Sequence, residues 1–146
     1  MKNNQKGITL VALVITIIVL LILAGVTLAA LSGENGILVR GRESKYATNI
    51  ATAKELVLLG INECITDYYA EKYVENSQNL ITDGSTIADY IAEHLKDTQA
   101  KDVVANVTET KITTNVTDIE GTTLEATMAT DGKITGWTGD VASDAE

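Results

Sequence analysis

Residues 7–33 read GITLVALVITIIVLLILAGVTLAALSG and contain no charged side chain. As an α-helix rising about 1.5 Å per residue, this segment would reach roughly 40 Å, more than the roughly 30 Å hydrocarbon core of a bilayer. A helix of a soluble domain usually keeps one polar face toward water, and this segment has no such face. The segment is therefore predicted to be a membrane span, a secretion signal, or a helix that moves from lipid into another apolar environment.

Charge is distributed unevenly on the two sides of this segment. Lys2 and Lys6 precede it, and all 20 acidic residues follow it. From Glu34 onward the chain has 20 acidic and 9 basic residues, a net charge of −11. A surface this acidic repels phosphate backbones, so nucleic acid is not an expected partner of the general surface. Charge bias alone does not orient the span, because three basic residues also follow it within residues 40–45.

The start of the apolar segment carries a family resemblance. Residues 6–13, KGITLVAL, followed by a long apolar helix, resemble the N-terminus of type IV pilins and pseudopilins. In that family a prepilin peptidase cuts after the glycine and methylates the new amino terminus. The resemblance implies a cut between Gly7 and Ile8, with residues 1–7 as the leader. Thr9 and Leu10 match the family pattern as they stand.

Ala12 departs from that pattern. The family usually has a glutamate at this fifth mature position, where it is thought to pair with the amino terminus of a neighbouring subunit. Because this glutamate is absent, the resemblance does not imply that assembly contact for this chain. In this respect the sequence resembles variants among minor or tip subunits. Residues 33–38, GENGIL, are similar to a block that follows this helix in pilin-like proteins of Gram-positive bacteria.

Small residues mark one face and the end of the predicted helix at residues 8–32. Gly25, Ala29 and Gly33 recur every four residues, so another backbone could approach that face closely. The alternative is that small residues are simply common in apolar helices. Residues 33–42 are predicted to form a bend, because each glycine costs about 1 kcal/mol relative to alanine in a helix. Asn35 could cap a helix that restarts there.

Residues 43–75 have the pattern of an amphipathic helix. Leu58, Ile65 and Tyr69 broaden its apolar stripe on one side. The stripe must be buried against the C-terminal half of the chain. Cys64 belongs to the stripe and is expected to be a small buried hydrophobic residue rather than a nucleophile. The stripe itself has spacings of three and four and consists of Tyr46, Ile50, Ala53, Val57, Ile61, Cys64 and Tyr68.

Residues 76–146 are predicted to form an α+β head. Ser85 or Thr86 is a candidate cap for a short helix ending near Lys96. Beyond it the apolar period changes to two, and Asp131-Gly132 is a strong hairpin signal. Strands are predicted at 103–107, 111–117, 122–130 and 133–137. The predicted fold class is therefore α+β, in which a long N-terminal helix, membrane-spanning and then amphipathic, packs through its second half on a small antiparallel sheet. The resemblance implies the same type IV pilin-like architecture.

Catalytic chemistry is not indicated by any motif. The lone His94 has no nucleophile motif to serve, so the chain is not expected to be an enzyme. Residues 118–121 (DIEG) and 131–132 (DG) could place oxygen atoms around calcium, but neither has EF-hand spacing, and turns attract Asp and Gly in any case. No cofactor and no metal site are predicted.

The resemblance implies a structural subunit of a type IV pilus or pseudopilus filament, serving adhesion, motility, secretion or DNA uptake. Its implied partners are further copies or other pilins, prepilin peptidase, the cytoplasmic membrane and the assembly machinery. The chain would span the cytoplasmic membrane once before assembly and lie in a cell-surface filament afterwards.

Two other functions remain open at this stage. One is a bitopic membrane protein whose extracytoplasmic head binds a ligand or partner and never polymerises. The other is a secreted protein whose apolar segment is a signal peptide cut after residues 27–29, TLA. The second is disfavoured because the segment is longer than the 7–15 residues of a signal core.

Overall fold

The computed structural model describes residues 4–33, 36–73 and 86–139. It divides into two compact units, residues 1–43 and residues 44–146. The first unit contains helix α1 (Asn4–Ser32) and the first turns of helix α2 (Ile37–Tyr73). The second contains the rest of α2, helix α3 (Ile87–His94), a 3₁₀ turn (Leu95–Asp97) and, among its described residues, four strands. The strands are β1 (Val104–Val107), β2 (Lys111–Thr117), β3 (Thr123–Met128) and β4 (Ile134–Thr138).

Three side-chain hydroxyls of helix α1 are satisfied within the helix. Thr16 donates to the carbonyl of Ala12 at 2.7 Å, and Thr27 donates to the carbonyl of Leu23 at 2.7 Å. Ser32 closes the last turn in the same way, donating to a carbonyl four residues earlier. A helix is the form in which a segment surrounded by lipid satisfies all its backbone groups, and these bonds extend that property to the polar side chains.

Gly33 and Gly36 are the described residues between the end of α1 and the start of α2. The Gly36 N–H donates to the Gly33 carbonyl at 2.7 Å, and the Arg40 N–H donates to the Gly36 carbonyl at 3.1 Å. A Cβ on Gly36 would lie 2.5 Å from the Leu31 carbonyl oxygen, so only glycine fits there. The prediction of a bend through residue 42 was wrong at its C-terminal side. Helix α2 begins at Ile37, because the chain regains its hydrogen bonds directly after Gly36.

Several sequence predictions fall where the structure is not described. They are the first residues of the leader (1–3), the proposed cap Asn35, the end of the amphipathic helix at residues 74–75, and the beginning and end of the head at residues 76–85 and 140–146.

The four strands form one antiparallel sheet in the order β1-β2-β3-β4. Strand β2 has the predicted bounds, β1 starts one residue later, and β3 and β4 differ from prediction by one or two residues at each end. The turn between β3 and β4 contains Gly132 with φ +81°, a conformation that glycine adopts without strain. Its N–H donates to the Ala129 carbonyl at 2.9 Å, and the Ala129 N–H donates to the Lys133 carbonyl at 2.9 Å. The predicted hairpin is confirmed.

The core of the second unit lies between α2 and one face of the sheet. Val57, Ile61 and Cys64 of α2 are at most 4% exposed and lie in one cluster with Ile112 and Ala126 of the sheet. Six of the seven residues of the predicted stripe are buried, so the predicted α+β architecture is confirmed. The seventh, Tyr46, is half-buried.

The predicted widening of this stripe was wrong in part. Ile65 packs against the core, but Leu58 is 44% exposed and Tyr69 is 43% exposed. The sheet and α3 cover an arc of α2 that does not reach these two side chains, so one edge of the apolar surface stays open to solvent.

Helix α3 begins with a reciprocal cap. The Asp89 N–H donates to the Thr86 hydroxyl oxygen, and the Thr86 N–H donates to an Asp89 carboxylate oxygen at 2.6 Å. Of the two predicted caps, Thr86 is the one in use. The helix places Ile91 and the following Leu95 in the core, each fully buried.

Candidate processing and assembly site

The proposed cleavage position lies in the first turns of α1. Gly7 and Ile8 are both helical and exposed, and Ile8 is 69% exposed. A Cβ added to Gly7 would meet no heavy atom of the described neighbours within 4 Å. The fold of this chain therefore does not require glycine at position 7. Glycine weakens a helix by about 1 kcal/mol relative to alanine. Local unwinding of the helix around the Gly7–Ile8 peptide bond is therefore favoured.

The next residues present an uncharged surface. Leu10 is 63% exposed, and Thr9 and Ala12 lie on the same exposed helix. The side chain of Ala12 is a methyl group, so this position offers no carboxylate. The carbonyl of Ala12 accepts the Thr16 hydroxyl, so this backbone oxygen is already engaged within the helix.

Helix α1 is apolar around its whole circumference. Four consecutive residues complete a full turn, and each of the four residues Leu20–Leu23 is 58–68% exposed. Helix α1 is long and apolar enough to cross a membrane, and its most apolar window is not buried by the chain itself. A helix with no polar face is stable in lipid or when covered by other apolar surfaces.

The predicted face of small residues extends along the second half of α1. Gly25 and Ala29 lie within the helix, and a Cβ on Gly25 would meet no described neighbour. Gly33 lies directly after the end of α1 and donates its N–H to the Ala29 carbonyl at 3.0 Å. All three positions are exposed, so the face is open to a backbone from outside the described chain.

Cys64 and Tyr90 in the head are held in their neutral forms. Burial raises the pKa of the Cys64 thiol to about 11, and the nearby Asp67 and Glu63 carboxylates add to this effect. Burial and the hydrogen bond from its hydroxyl to Glu71 raise the pKa of Tyr90 to about 12. A thiol with so high a pKa is a poor nucleophile, which agrees with a packing role for Cys64.

The two loops considered for calcium use their carboxylates to close turns. Asp118 Oδ1 accepts the N–H of Glu120 at 2.9 Å and of Thr122 at 2.7 Å, and the Thr122 bond is the main cause that lowers the pKa of Asp118. Asp131 Oδ1 accepts the Lys133 N–H at 3.0 Å. Within the described residues no group of three His, Cys, Asp or Glu side chains is placed to hold a metal ion.

Sequence reasoning missed Gly60, a residue that controls the packing of the head. It lies on the buried side of α2 between Val57 and Ile61. A Cβ there would come within 2.5 Å of Thr98 Oγ1 and 3.0 Å of Ala100 Cβ. The available signal was an isolated glycine inside a strong helical pattern, which often marks a close approach.

Comparison with known proteins identified the N-terminal segment. The model of a family described as "Prokaryotic N-terminal methylation motif" matches residues 2–28. No curated protein and no solved structure matched the chain. The chain therefore carries the prepilin-type N-terminal methylation motif, on a long N-terminal helix followed by a small antiparallel sheet, an architecture consistent with a type IV pilin-like protein.

Proposed function

We propose that the chain is a structural subunit of a type IV pilus-like or pseudopilus-like filament. Prepilin peptidase would cut between Gly7 and Ile8 and methylate the new amino terminus, and α1 would hold the subunit in the cytoplasmic membrane until assembly. The observation that carries this proposal is the methylation motif at residues 2–28, most of which lies on helix α1, whose apolar side chains are exposed on every side.

No described residue packs against the position of a Gly7 side chain, and this supports the proposed processing step. Since no described neighbour would meet a side chain at this position, packing does not explain the glycine. A peptidase that must draw an extended peptide into its active site does explain it, because glycine lowers the cost of unwinding the helix and leaves room beside the scissile bond.

The surface of α1 supports transfer from lipid into a protein core. Thr16, Thr27 and Ser32 all donate to carbonyls of their own helix, so no hydroxyl donor of these residues loses a partner when water is absent. The same helix can therefore be surrounded by acyl chains or by helices of other subunits with no change in its hydrogen bonding. Burial of its apolar surface at about 25 cal/mol per Å² would stabilise a filament core outside the bilayer.

The processing step is tested by mass spectrometry of the mature protein from cells that contain the peptidase. The expected product starts at an N-methylated Ile8. The variant Gly7→Leu should keep residues 1–7 and lack the methyl group, whereas the control Gly41→Leu, another exposed glycine without near neighbours, should be processed normally. An intact Met1 in the unmodified protein would indicate a bitopic anchor, and a terminus near Ala30 would indicate ordinary secretion.

The assembly step is tested separately by shearing cells and examining the released material. Fibres that contain the mature chain are expected, and they should disappear in Gly7→Leu. Correct processing together with a chain that stays entirely in the membrane would contradict a surface filament and leave a membrane-held pseudopilin.

A further inference from the structure

The chain has two arginines, and both lie in the first turns of α2. Arg40 and Arg42 are exposed, and neither forms an ion pair with a described residue. The other nine basic side chains are lysines, spread over the rest of the sequence. Arginine binds phosphate and carboxylate groups through a planar fork of N–H donors, which lysine lacks. The two arginines therefore offer an exposed surface to an anionic partner.

Two large apolar side chains lie between these arginines on the helix surface. Ile37 is 73% exposed and Leu38 is 60% exposed. At about 100° per residue, Arg40, Ile37, Leu38 and Arg42 follow one another around an arc of about 200°, and Glu43 lies outside that arc. An apolar centre with basic side chains at both margins suits contact with a membrane surface. We call this surface the arginine face, and it consists of Ile37, Leu38, Arg40 and Arg42.

The arginine face lies close in sequence to the end of the apolar segment. Gly33 is the last residue of that segment, and Ile37 follows four positions later. A chain extends at most about 3.6 Å per residue, so Ile37 lies within roughly 14 Å of Gly33, and Arg42 lies about 9 Å farther along the helix. When α1 spans a bilayer, the covalent chain therefore keeps the arginine face near the headgroups.

We infer that the arginine face binds anionic phospholipid headgroups, with the guanidinium groups on the phosphates and Ile37 and Leu38 at the boundary of the acyl chains. This inference rests on the proposed function, because it requires α1 to span a membrane. Residues 44–146 contain 18 acidic and 7 basic side chains, a net charge of −11, and are repelled by an anionic surface. Residues 36–42 contain two basic side chains and no acidic one, so they are attracted to it. The arginine face would hold the start of α2 at the membrane while the acidic head stays in solution.

The acidic surface of a second copy is the alternative partner. Its carboxylates would neutralise the two arginines, but they offer no apolar cover to Ile37 and Leu38, which would stay in water. A lipid surface satisfies both parts of the arginine face, because its phosphates lie directly above an apolar layer. The observations therefore favour the lipid.

Spin-labelled lipids test the contact in the full-length chain reconstituted in phosphatidylcholine vesicles. Electron paramagnetic resonance measures how much labelled phosphatidylglycerol and labelled phosphatidylcholine the protein immobilises, and the ratio gives its preference for the anionic headgroup. A basic side chain near an anionic surface strengthens binding about fivefold. The measured preference is averaged over all lipids around α1, so the double variant Arg40→Gln/Arg42→Gln should lower it about twofold or more.

Two further variants control for charge and folding. Lys96→Gln/Lys101→Gln removes the same charge from exposed positions of the head and should leave the preference unchanged. Arg40→Lys/Arg42→Lys keeps the charge and should retain most of the preference, and an equal loss there would contradict binding through charge. The fluorescence of Trp137 should show a normally folded head in all three variants.

A nitroxide at position 38 gives an independent readout of depth. Leu38→Cys is labelled while the buried, neutral thiol of Cys64 stays unreactive. Collision of the nitroxide with oxygen, which concentrates in lipid, is then compared with collision with a water-soluble nickel chelate. In vesicles that contain phosphatidylglycerol, oxygen should dominate at position 38, and the nickel chelate should dominate at the exposed control Gln99→Cys.

The outcomes separate this contact from the proposed function. A selective loss of preference in Arg40→Gln/Arg42→Gln, with the label at position 38 shielded from water, supports the contact. A preference that this variant leaves unchanged, or a label as exposed to water as at position 99, overturns it and leaves the membrane-held subunit standing. Loss of sheared filaments in this variant with an unchanged lipid preference would assign the arginines to the acidic surface of another copy. A chain that alkaline washing removes from the vesicles would refute the membrane-held stage of the proposed function and this contact with it.

Discussion

Gly60 offers the sharpest test of how the head is packed. Replacing it by alanine would place a Cβ 2.5 Å from Thr98 Oγ1 and 3.0 Å from both Ala100 Cβ and Leu95 Cδ1. All three of these neighbours are buried. Thr98 cannot easily retreat, because its hydroxyl donates to the Leu95 carbonyl at 2.7 Å and accepts the Ala100 N–H at 3.2 Å. The new methyl group must therefore push α2 away from this turn or break these hydrogen bonds.

The net cost of Gly60→Ala can be bounded from these contacts. Inserting a methyl group into a packed core costs about 1–3 kcal/mol, and losing a buried hydrogen bond adds about 1–2 kcal/mol. The better helix propensity of alanine offsets about 1 kcal/mol. A net destabilisation of about 1–4 kcal/mol is expected, which lowers the Tm of a head of this size by about 4–8 °C for each kcal/mol.

Thermal unfolding of the full chain in detergent, followed by Trp137 fluorescence, measures this effect in the head. Gly41→Ala is the matched control, since it makes the same change in the same helix where a Cβ meets no described neighbour within 4 Å. It should leave the Tm unchanged or raise it. A Gly60→Ala protein as stable as the unmodified chain would show that the approach of α2 to Thr98 is not tight in solution.

Three further outcomes concern the head. Thr114→Val should cost about 1–2 kcal/mol in denaturant unfolding, because the buried hydroxyl donates to the Leu124 carbonyl at 2.9 Å. Cys64 in the folded head should react with iodoacetamide at pH 8 about 100-fold more slowly than in urea, since burial keeps its thiol protonated. Backbone N–H groups lower the pKa of Asp118, and Lys111 lowers that of Glu125, so stability should hold above about pH 4 and fall as these groups protonate below it.

Local sequence signals predicted the sheet well. Strand alternation and the Asp131-Gly132 turn depend on residues that are adjacent in the chain, and the structure places β2 and the β3–β4 hairpin where they were expected. The burial of the α2 stripe was predictable for the same reason, because an apolar stripe of period 3.6 needs a cover.

Features that depend on distant contacts were not predictable. The approach of Gly60 to Thr98 joins residues 38 positions apart, and nothing near Gly60 indicates which segment will pack on it. The exposure of Leu58 and Tyr69 has the same origin, since only the placement of α3 and the sheet decides how wide an arc of α2 is covered. The early start of α2 at Ile37 was missed because Gly33 and Gly36 suggested a longer break, and helix ends are weakly specified by local propensity.

The uncharged surface of α1 and the acidic surface of the head have linked consequences for the proposed assembly. Apolar helices without polar groups pack against one another in many registers of similar energy, whereas a buried charge that needs a partner fixes one register. Ala12 removes such a charge from α1, so in the proposed filament the register between copies has to be set elsewhere. Residues 44–146 contain 18 acidic and 7 basic side chains, so neighbouring heads of like charge repel one another at close approach. In the proposed filament, charge on the heads would therefore restrict the register that the uncharged helix α1 leaves free.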